Sequence, residues 1–316
     1  MERDITSIKP FKTVQAHQIS IISISLLKDG RLASCSIDNT INILNMNNNF
    51  HCDMTLIGHK KPVYFVIQLD SGDLVSCSSD CSLKIWSITQ TEYKCLLTIE
   101  KAHEEGINKI VLLPHSRIAS CAQDNYLIKI WDMTPPYREK TKIPIKILGD
   151  FKEDDAMRMA ISLLYIKEKD ILVSGGFDYI LRIYNMKSYQ CINTINDIEC
   201  YNPNSIYQID KERIIIGGRD YITIVNIDKY EIENKISSQL CAVCSFVQLS
   251  DKKTVLCGCN GHYYVPKDSY IKEIKKEENF NLYELMIKRC INCFITTDEN
   301  TFLSASDDGN IIVWKY

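Results

Sequence analysis

The sequence has no run of about eighteen apolar residues, so no segment reads as a membrane-crossing helix. It also lacks a surplus of positive charge, with 37 basic side chains against 40 acidic ones and a net charge of −3. A dedicated nucleic-acid binder carries a basic excess, so no nucleic-acid partner is expected. The opening stretch MERDITSIKP has no apolar core of an export signal. The chain is therefore expected inside the cell, in the cytoplasm rather than the nucleus. Glycine is scarce, at 12 of 316 residues. None of it builds a phosphate-cradling loop, because SGGFD and IGGRD read as strand ends running into turns. The G-x-S-x-G turn that exposes a hydrolase nucleophile is missing as well. His51, His115 and His262 stand isolated and form no metal-ligating set. The expectation is a protein without cofactor that is not an enzyme.

What is abundant is cysteine, with 14 residues. In a chain of this length without an export signal, reduced thiols are the default. Many sit inside apolar strands, as in LASCSID, LVSCSSD and IASCAQD, where cysteine packs as a small hydrophobe.

The strongest signal is internal repetition. RLASCSIDNTINIL, DLVSCSSDCSLKIW and RIASCAQDNYLIKIW share one pattern, and FLSASDDGNIIVW closes the chain. Degenerate copies lie between them: ILVSGGFDYILRIY, RIIIGGRDYITIV and TVLCGCNGHYYV. Aligned on a turn residue, the seven copies fall at Asp38, Asp80, Asp124, Asp178, Asp220, Asn260 and Asp308, with spacings of 42, 44, 54, 42, 40 and 48. Sixteen positions earlier stand Ile22, Tyr64, Asn108, Ser162, Asn204, Cys244 and Asn292, each preceded by an apolar residue or proline. Each copy reads as short period-two strands broken by turn residues, and four strands every 40 to 45 residues read as a propeller blade.

These copies resemble the WD-repeat β-propeller family over essentially the whole chain. The matching residues are Gly58-His59 with Ser76, Asp80 and Trp86, and Ala102-His103 with Ser120, Asp124 and Trp131-Asp132. Ala16-His17 with Ser34 and Asp38, and Ser304, Asp308 and Trp314, match in part. The three later middle copies lack the histidine and carry Tyr184, Val225 and Pro266 in place of tryptophan. The expected fold is an all-β, seven-bladed propeller of four-stranded antiparallel blades, one domain over residues 1–316. A strand at Phe11–Gln15 would complete the last blade. The sixth copy is degenerate enough that six blades plus an irregular segment is the alternative.

His59, Ser76 and Asp80 are the residue types of a hydrolytic triad, but the set recurs as His17/Ser34/Asp38 and His103/Ser120/Asp124. Recurrence by blade points to structure. The resemblance implies a network in which aspartate orients histidine, histidine reaches serine, and serine accepts from the tryptophan N–H, which can only donate. A second temptation is the run of late cysteines, Cys241, Cys244, Cys257, Cys259, Cys290 and Cys293. Thiolate pairs can hold zinc, although these flank strand starts, and no metal is assigned. The long spacing before the fourth copy marks an insertion over residues 134–158. It is basic at Tyr137–Lys146 (net +3) and acidic at Asp150–Asp155 (net −3), and it reads either as a binding loop or as a merely soluble one.

In the family, the narrow face binds peptides through residues at the start of the innermost strand and just before the turn aspartate. Carried onto this chain, the second ring is Ile37, Ser79, Gln123, Phe177, Arg219, Cys259 and Asp307. Tyr64, Phe177 and Arg219 lead, because aromatic and arginine side chains make hot spots. Asn108, Gln123, Asn292 and Asp307 support them. The expected function is a non-enzymatic scaffold or subunit of an intracellular assembly, monomeric by itself, binding peptide or protein segments. The alternatives are a substrate receptor for ubiquitin-type modification machinery and a zinc or thiol protein using the Cys241–Cys293 cluster.

Overall fold

The computed structural model describes residues 8–124, 127–149, 159–200, 202, 204–237, 242–250, 254–260, 270–276, 281–286 and 290–315. Its strands follow from the local sequence. Second strands such as Leu32–Ser36 (LASCS) and Leu74–Ser78 (LVSCS) are buried at every residue, because they lie inside one sheet with a further sheet packed on each face. Small side chains there permit close approach of the sheets. Outermost strands such as Glu231–Ser237 alternate between exposed and half-buried, the pattern of a strand with one wet face.

The turns between second and third strands are set by aspartate. Asp38 Oδ1 accepts from the Thr40 N–H, and Asp80 Oδ1 from the Ser82 N–H, both at 3.0 Å. The residue that follows the aspartate then takes a left-handed conformation: Asn39 (φ 71°), Cys81 (66°), Tyr179 (61°) and Gly309 (80°).

Six sheets are antiparallel blades of four strands. The first joins Ile21–Leu26, Leu32–Ser36, Ile41–Asn45 and His51–Leu56; the second joins Val63–Gln68, Leu74–Ser78, Leu83–Ile88 and Tyr93–Ile99. The third joins Ile107–Leu113, Arg117–Ala122, Ile128–Asp132 and the short Lys146–Leu148. The fourth runs from Ala160–Ile166 to Gln190–Asn196, and the fifth from Ile206–Gln208 to Glu231–Ser237. The closing blade combines Ile291–Asp298, Thr301–Ser306 and Asn310–Lys315 with Lys9–Gln15 from the other end of the chain.

The expectation of seven such blades is corrected here: the propeller has six. The remaining sheet, between the fifth and closing blades, is mixed. Ala242–Gln248 pairs antiparallel with Thr254–Asn260, which pairs in parallel with Asn281–Met286, and Tyr270–Lys276 lies outermost. The physical reason lies in the sequence of that copy, which has Asn260 where each of the six antiparallel blades keeps a turn aspartate.

The core lies between consecutive sheets rather than within any one of them. Between the first and second blades, Ala33, Ile43 and Met54 meet Val63, Val66 and Trp86. Comparable clusters join each further pair, and Ile21, Leu32 and Leu44 meet Leu303, Ile311 and Val313 where the closing blade returns to the first.

Closure is made by Lys9–Gln15, which starts two residues before the sequence expectation. It pairs antiparallel with Asn310–Lys315, from Lys9 opposite Lys315 to Gln15 opposite Asn310. The N–H groups of Ala16 and His17 both donate to Gly309 O, at 2.9 and 3.1 Å. A Cβ at position 309 would stand 2.1 Å from His17 O, so only glycine fits this clasp.

Candidate interaction face

Innermost strands in the first, second, third and closing blades and the mixed sheet begin with a β-bulge. The residue left opposite no partner is Ile22, Tyr64, Asn108, Asn292 and Cys244, respectively. A bulge re-aims the side chain it carries, here at the ring positions picked out by counting back from the turns. In the fourth blade the bulged residue is Ile161 rather than Ser162, which pairs with Gly175 and is buried. The extra residue is taken up in the turn between Ile166 and Ile171. In the mixed sheet Asn260 still pairs with Ala242, so the turn register there is displaced by one.

The asparagines of this ring are turned inward onto backbone. Asn108 is buried and its Nδ2 donates to Ala160 O at 3.0 Å, tying the third blade to the fourth. Gln123 Nε2 donates to Asn108 Oδ1 at 3.2 Å. Asn292 Nδ2 donates to Ile21 O at 2.8 Å and to Ser20 Oγ at 3.1 Å, tying the closing blade to the first. Asn204 reaches across the ring, from the fifth blade to Ile22 O at 3.3 Å and Asn292 O at 3.1 Å. These carboxamides hold blades in place, each replacing a water contact with a blade-to-blade bond.

The residues left outward are of a different kind. Gln123, Arg219 and Asp307 are exposed, while Tyr64 and Phe177 are half-buried. Tyr64 packs against the core between the second and third blades. Two exposed aromatics that were not singled out from the sequence join them: Tyr179, 54 % exposed, and Tyr221, 47 % exposed. Each directly follows a turn aspartate, where the first, second and closing copies carry Asn39, Cys81 and Gly309. That contrast was the signal available. Lys235 Nζ lies 5.7 Å from the Tyr221 ring, and the Arg219 N–H donates to Glu199 Oε2 at 2.7 Å. Phe177, Tyr179 and Arg219 thus occupy the turns of the adjacent fourth and fifth blades, and Tyr221 opens the third strand of the fifth.

Behind this face, Lys109 is buried, with its Nζ 5.1 Å from the Phe65 ring. Burial pulls its ammonium down to about 8. The corresponding positions in the other copies hold serine, phenylalanine or cysteine, and that contrast marks it in the sequence.

The recurrent polar set is a chain of hydrogen bonds. In the second blade the His59 Nδ1–H donates to Asp80 Oδ2 at 2.9 Å, Ser76 Oγ–H donates to His59 Nε2 at 2.7 Å, and the Trp86 indole N–H donates to Ser76 Oγ at 2.8 Å. The third blade repeats it with His103, Asp124, Ser120 and Trp131 at 2.8 to 2.9 Å. The first blade has His17, Asp38 and Ser34 at 2.8 Å but Leu44 in place of tryptophan. The closing blade keeps Trp314 on Ser304 at 2.8 Å, while Asp308 accepts from the Ser306 hydroxyl at 2.7 Å. Ser34, Ser76, Ser120 and Ser304 are fully buried, so none can meet a substrate.

Burial pulls the His59 and His103 imidazoles below the usual histidine range, against the attraction of Asp80 and Asp124. Burial opposes the charge on Asp80 too. Hydrogen bonds from His59, Ser82 and the Lys60 N–H outweigh it and hold the carboxyl well below the ordinary range. The second-blade set is therefore a neutral imidazole on a carboxylate.

Of the late cysteines, Cys244, Cys290 and Cys293 are buried thiols, and burial pushes Cys293 up to about 11. Cys244 Sγ donates to Ala242 O at 3.6 Å. Cys241 and the side chains of Cys257 and Cys259 lie outside the described residues, as do residues 150–158 of the insertion. Among the described residues no group of three histidine, cysteine or acidic side chains is placed to hold a metal ion, and no helix is long and apolar enough to cross a membrane.

Comparison with known proteins bears on this ring. Residues 8–45, 50–87 and 288–315 match the family described as WD domain, G-beta repeat. The first two matches each start on an outermost strand and end on the third strand of the next blade, so one repeat spans two blades. The chain is similar to the Ribosome biogenesis protein WDR12 homolog of Drosophila virilis, 27% identical over 160 residues, or 48% of this chain and 38% of that protein. It is similar to the Nuclear distribution protein nudF of Aspergillus niger, 26% identical over 156 residues, 48% of this chain and 32% of that one. The CCR4-associated factor 4 homolog of Vanderwaltozyma polyspora is 28% identical over 131 residues, 40% of this chain and 18% of that one. The matched stretches thus cover less than half of each relative's own length. With repeat matches at both ends and a ring of four-stranded sheets, the chain carries WD repeats on a β-propeller fold.

Proposed function

We propose that the protein is a non-enzymatic interaction scaffold that binds peptide or protein segments of its partners on the turn face of the propeller. The observation that carries this reading is a set of aromatic and arginine side chains at the fourth and fifth blade turns: half-buried Phe177, exposed Tyr179 and Arg219, and exposed Tyr221 at the start of the next strand. Such side chains bury much area at little entropic cost and recur as binding hot spots. They stand on a ring stapled by Asn108, Asn204 and Asn292, so little ordering is lost on association. Tyr64, Gln123 and Asp307 extend the same face, while Asn108 and Asn292 position it. A single arginine among these positions, with Asp307 near balance, suits a protein segment better than a polyanion. The relatives' names, which speak of ribosome biogenesis and nuclear distribution, fit work inside assemblies.

The test is affinity capture from native cells with wild-type bait beside a Tyr64→Ala/Phe177→Ala/Arg219→Ala variant, once both are shown to melt alike. Proteins retained by the wild type and lost by the variant support the turn face. An identical partner set for both baits overturns it.

A further inference from the structure

The insertion after the third strand of the third blade ends in an outer edge unlike the others. Ile143, Ile145 and Ile147 are 67, 50 and 44 % exposed, within a stretch of five residues. The segment is anchored at its base. The Tyr137 hydroxyl donates to Asp73 Oδ2 at 2.5 Å and lies 3.1 Å from Ser71 Oγ, and Thr141 is buried in the short 3-10 turn Glu139–Lys142. The Ile145 N–H donates to Ile130 O at 2.8 Å, and Lys146–Leu148 pairs with Ile128–Ile130 as the terminal strand of its sheet. The exposed isoleucines are thus held on a fixed edge. Residues 137–148 carry Arg138, Lys140, Lys142 and Lys146 against Glu139, whose carboxylate pairs with Lys142 at 2.7 Å, while Asp132 lies within the field of Lys140.

We propose that this edge, Ile143 to Leu148, takes up an extended acidic segment of a partner protein that also carries apolar side chains. A terminal strand offers backbone groups for one more strand, and apolar side chains beside it supply the burial that makes strand addition worthwhile. The charge selects the occupant. A second copy of the chain would bring its own basic edge against this one, and like charges set opposite each other across a strand pair are unfavourable. A lipid surface would meet the lysines and isoleucines and leave the strand edge unused. An acidic, partly apolar strand meets all three features. The edge is the outermost strand of the third blade, whereas the proposed turn face is centred on the fourth and fifth.

The experiment uses the intact chain and a labelled synthetic peptide of alternating glutamate and valine, about seven residues long. Controls carry the same residues in block order, or lysine in place of glutamate. The readout is fluorescence anisotropy at low and raised salt. The expected result is saturable binding of the alternating peptide, weakened by salt, and weakened roughly tenfold or more by Ile145→Asp and by the milder surface change Lys146→Glu. Absence of saturable binding, equal affinity for both variants, or equal binding of the block or lysine peptides overturns the proposal. So does sedimentation with phosphatidylserine vesicles that Lys146→Glu abolishes, which would make the rim a lipid site. Self-association abolished by Ile145→Asp would assign it to a second copy and overturn the proposal equally.

Discussion

Ser76 and Ser34 occupy the same place in consecutive blades, but they do not bear the same load. The Ser76 hydroxyl satisfies both the His59 ring and the Trp86 indole, whereas Ser34 serves His17 and sits 3.4 Å from Asn42 O. Removing a hydroxyl that leaves buried polar groups unpaired costs about 1–3 kcal/mol for each. Ser76→Ala is therefore expected to lower unfolding stability in urea by more than Ser34→Ala, with a difference of about 1 kcal/mol or more. Equal losses would mean that the indole bond adds nothing. The histidines give an acid-side dependence whose direction follows from burial. In the folded chain His59 and His103 take up protons less readily than in the unfolded chain, where histidine titrates near 6.5. Their contribution is complete above about pH 7 and is lost as pH falls through about 6.5 and below. Asp38 and Asp80, held low in the folded state, add a further loss as pH falls below about 4. A His59→Gln/His103→Gln variant should melt lower at pH 7.5, yet its melting temperature should decline less between pH 7.5 and 5.5 than that of the wild type. A parallel decline in both proteins would remove these histidines as the cause.

At the scale of single elements, the closing clasp is the most exacting piece of backbone. Gly30 and Gly309 both have a left-handed φ, at 85° and 80°, but a Cβ on Gly30 meets nothing within 4 Å while one on Gly309 collides with His17 O. Gly30→Ala should cost about 1 kcal/mol from conformation alone. Gly309→Ala should cost clearly more, because the strand pair must open to admit the methyl, and thermal melts of the two variants decide the point. The elements themselves were legible wherever a copy kept its aspartate turn and alternating third strand. The second strands of those copies, the return of the chain's first strand and the bulged positions of the first, second, third and closing blades follow from that register. Where the register is under-specified, reading failed by small steps. One added residue in the turn after Ile166 moved the fourth ring position from Ser162 to Ile161. The sixth copy, alone in lacking the turn aspartate, forms a mixed sheet instead of a blade. A period-two pattern fixes which face is buried, but it does not fix which neighbour a strand chooses.

Across the whole molecule, that mixed sheet interrupts an otherwise regular ring. Parallel pairing is slightly less stable per residue than antiparallel pairing, and the strand Asn281–Met286 depends on it. Native-state hydrogen exchange should find the amides of Tyr270–Lys276 and Asn281–Met286 opening before the third strands of the six antiparallel blades, by roughly tenfold or more in rate. Uniform protection around the ring would show that its packing against neighbours compensates. The candidate face shows the same division between legible and hidden. Phe177 and Arg219 could be placed from spacing, because the turn aspartate fixes their position. The inward use of Asn108, Asn204 and Asn292 could not, since a carboxamide's partner there is a carbonyl of another blade, up to 182 residues away in sequence.

The paired chain ends also set how the ring responds to force. Lys9 faces Lys315 in an antiparallel pair, so the chain leaves both strands on the same side. A pull applied at these two residues loads the bonds between Lys9–Gln15 and Asn310–Lys315 one after another, as a zipper, rather than all together in shear. An assembly that tugged on both ends would open the circle there at low force, long before any blade gave way.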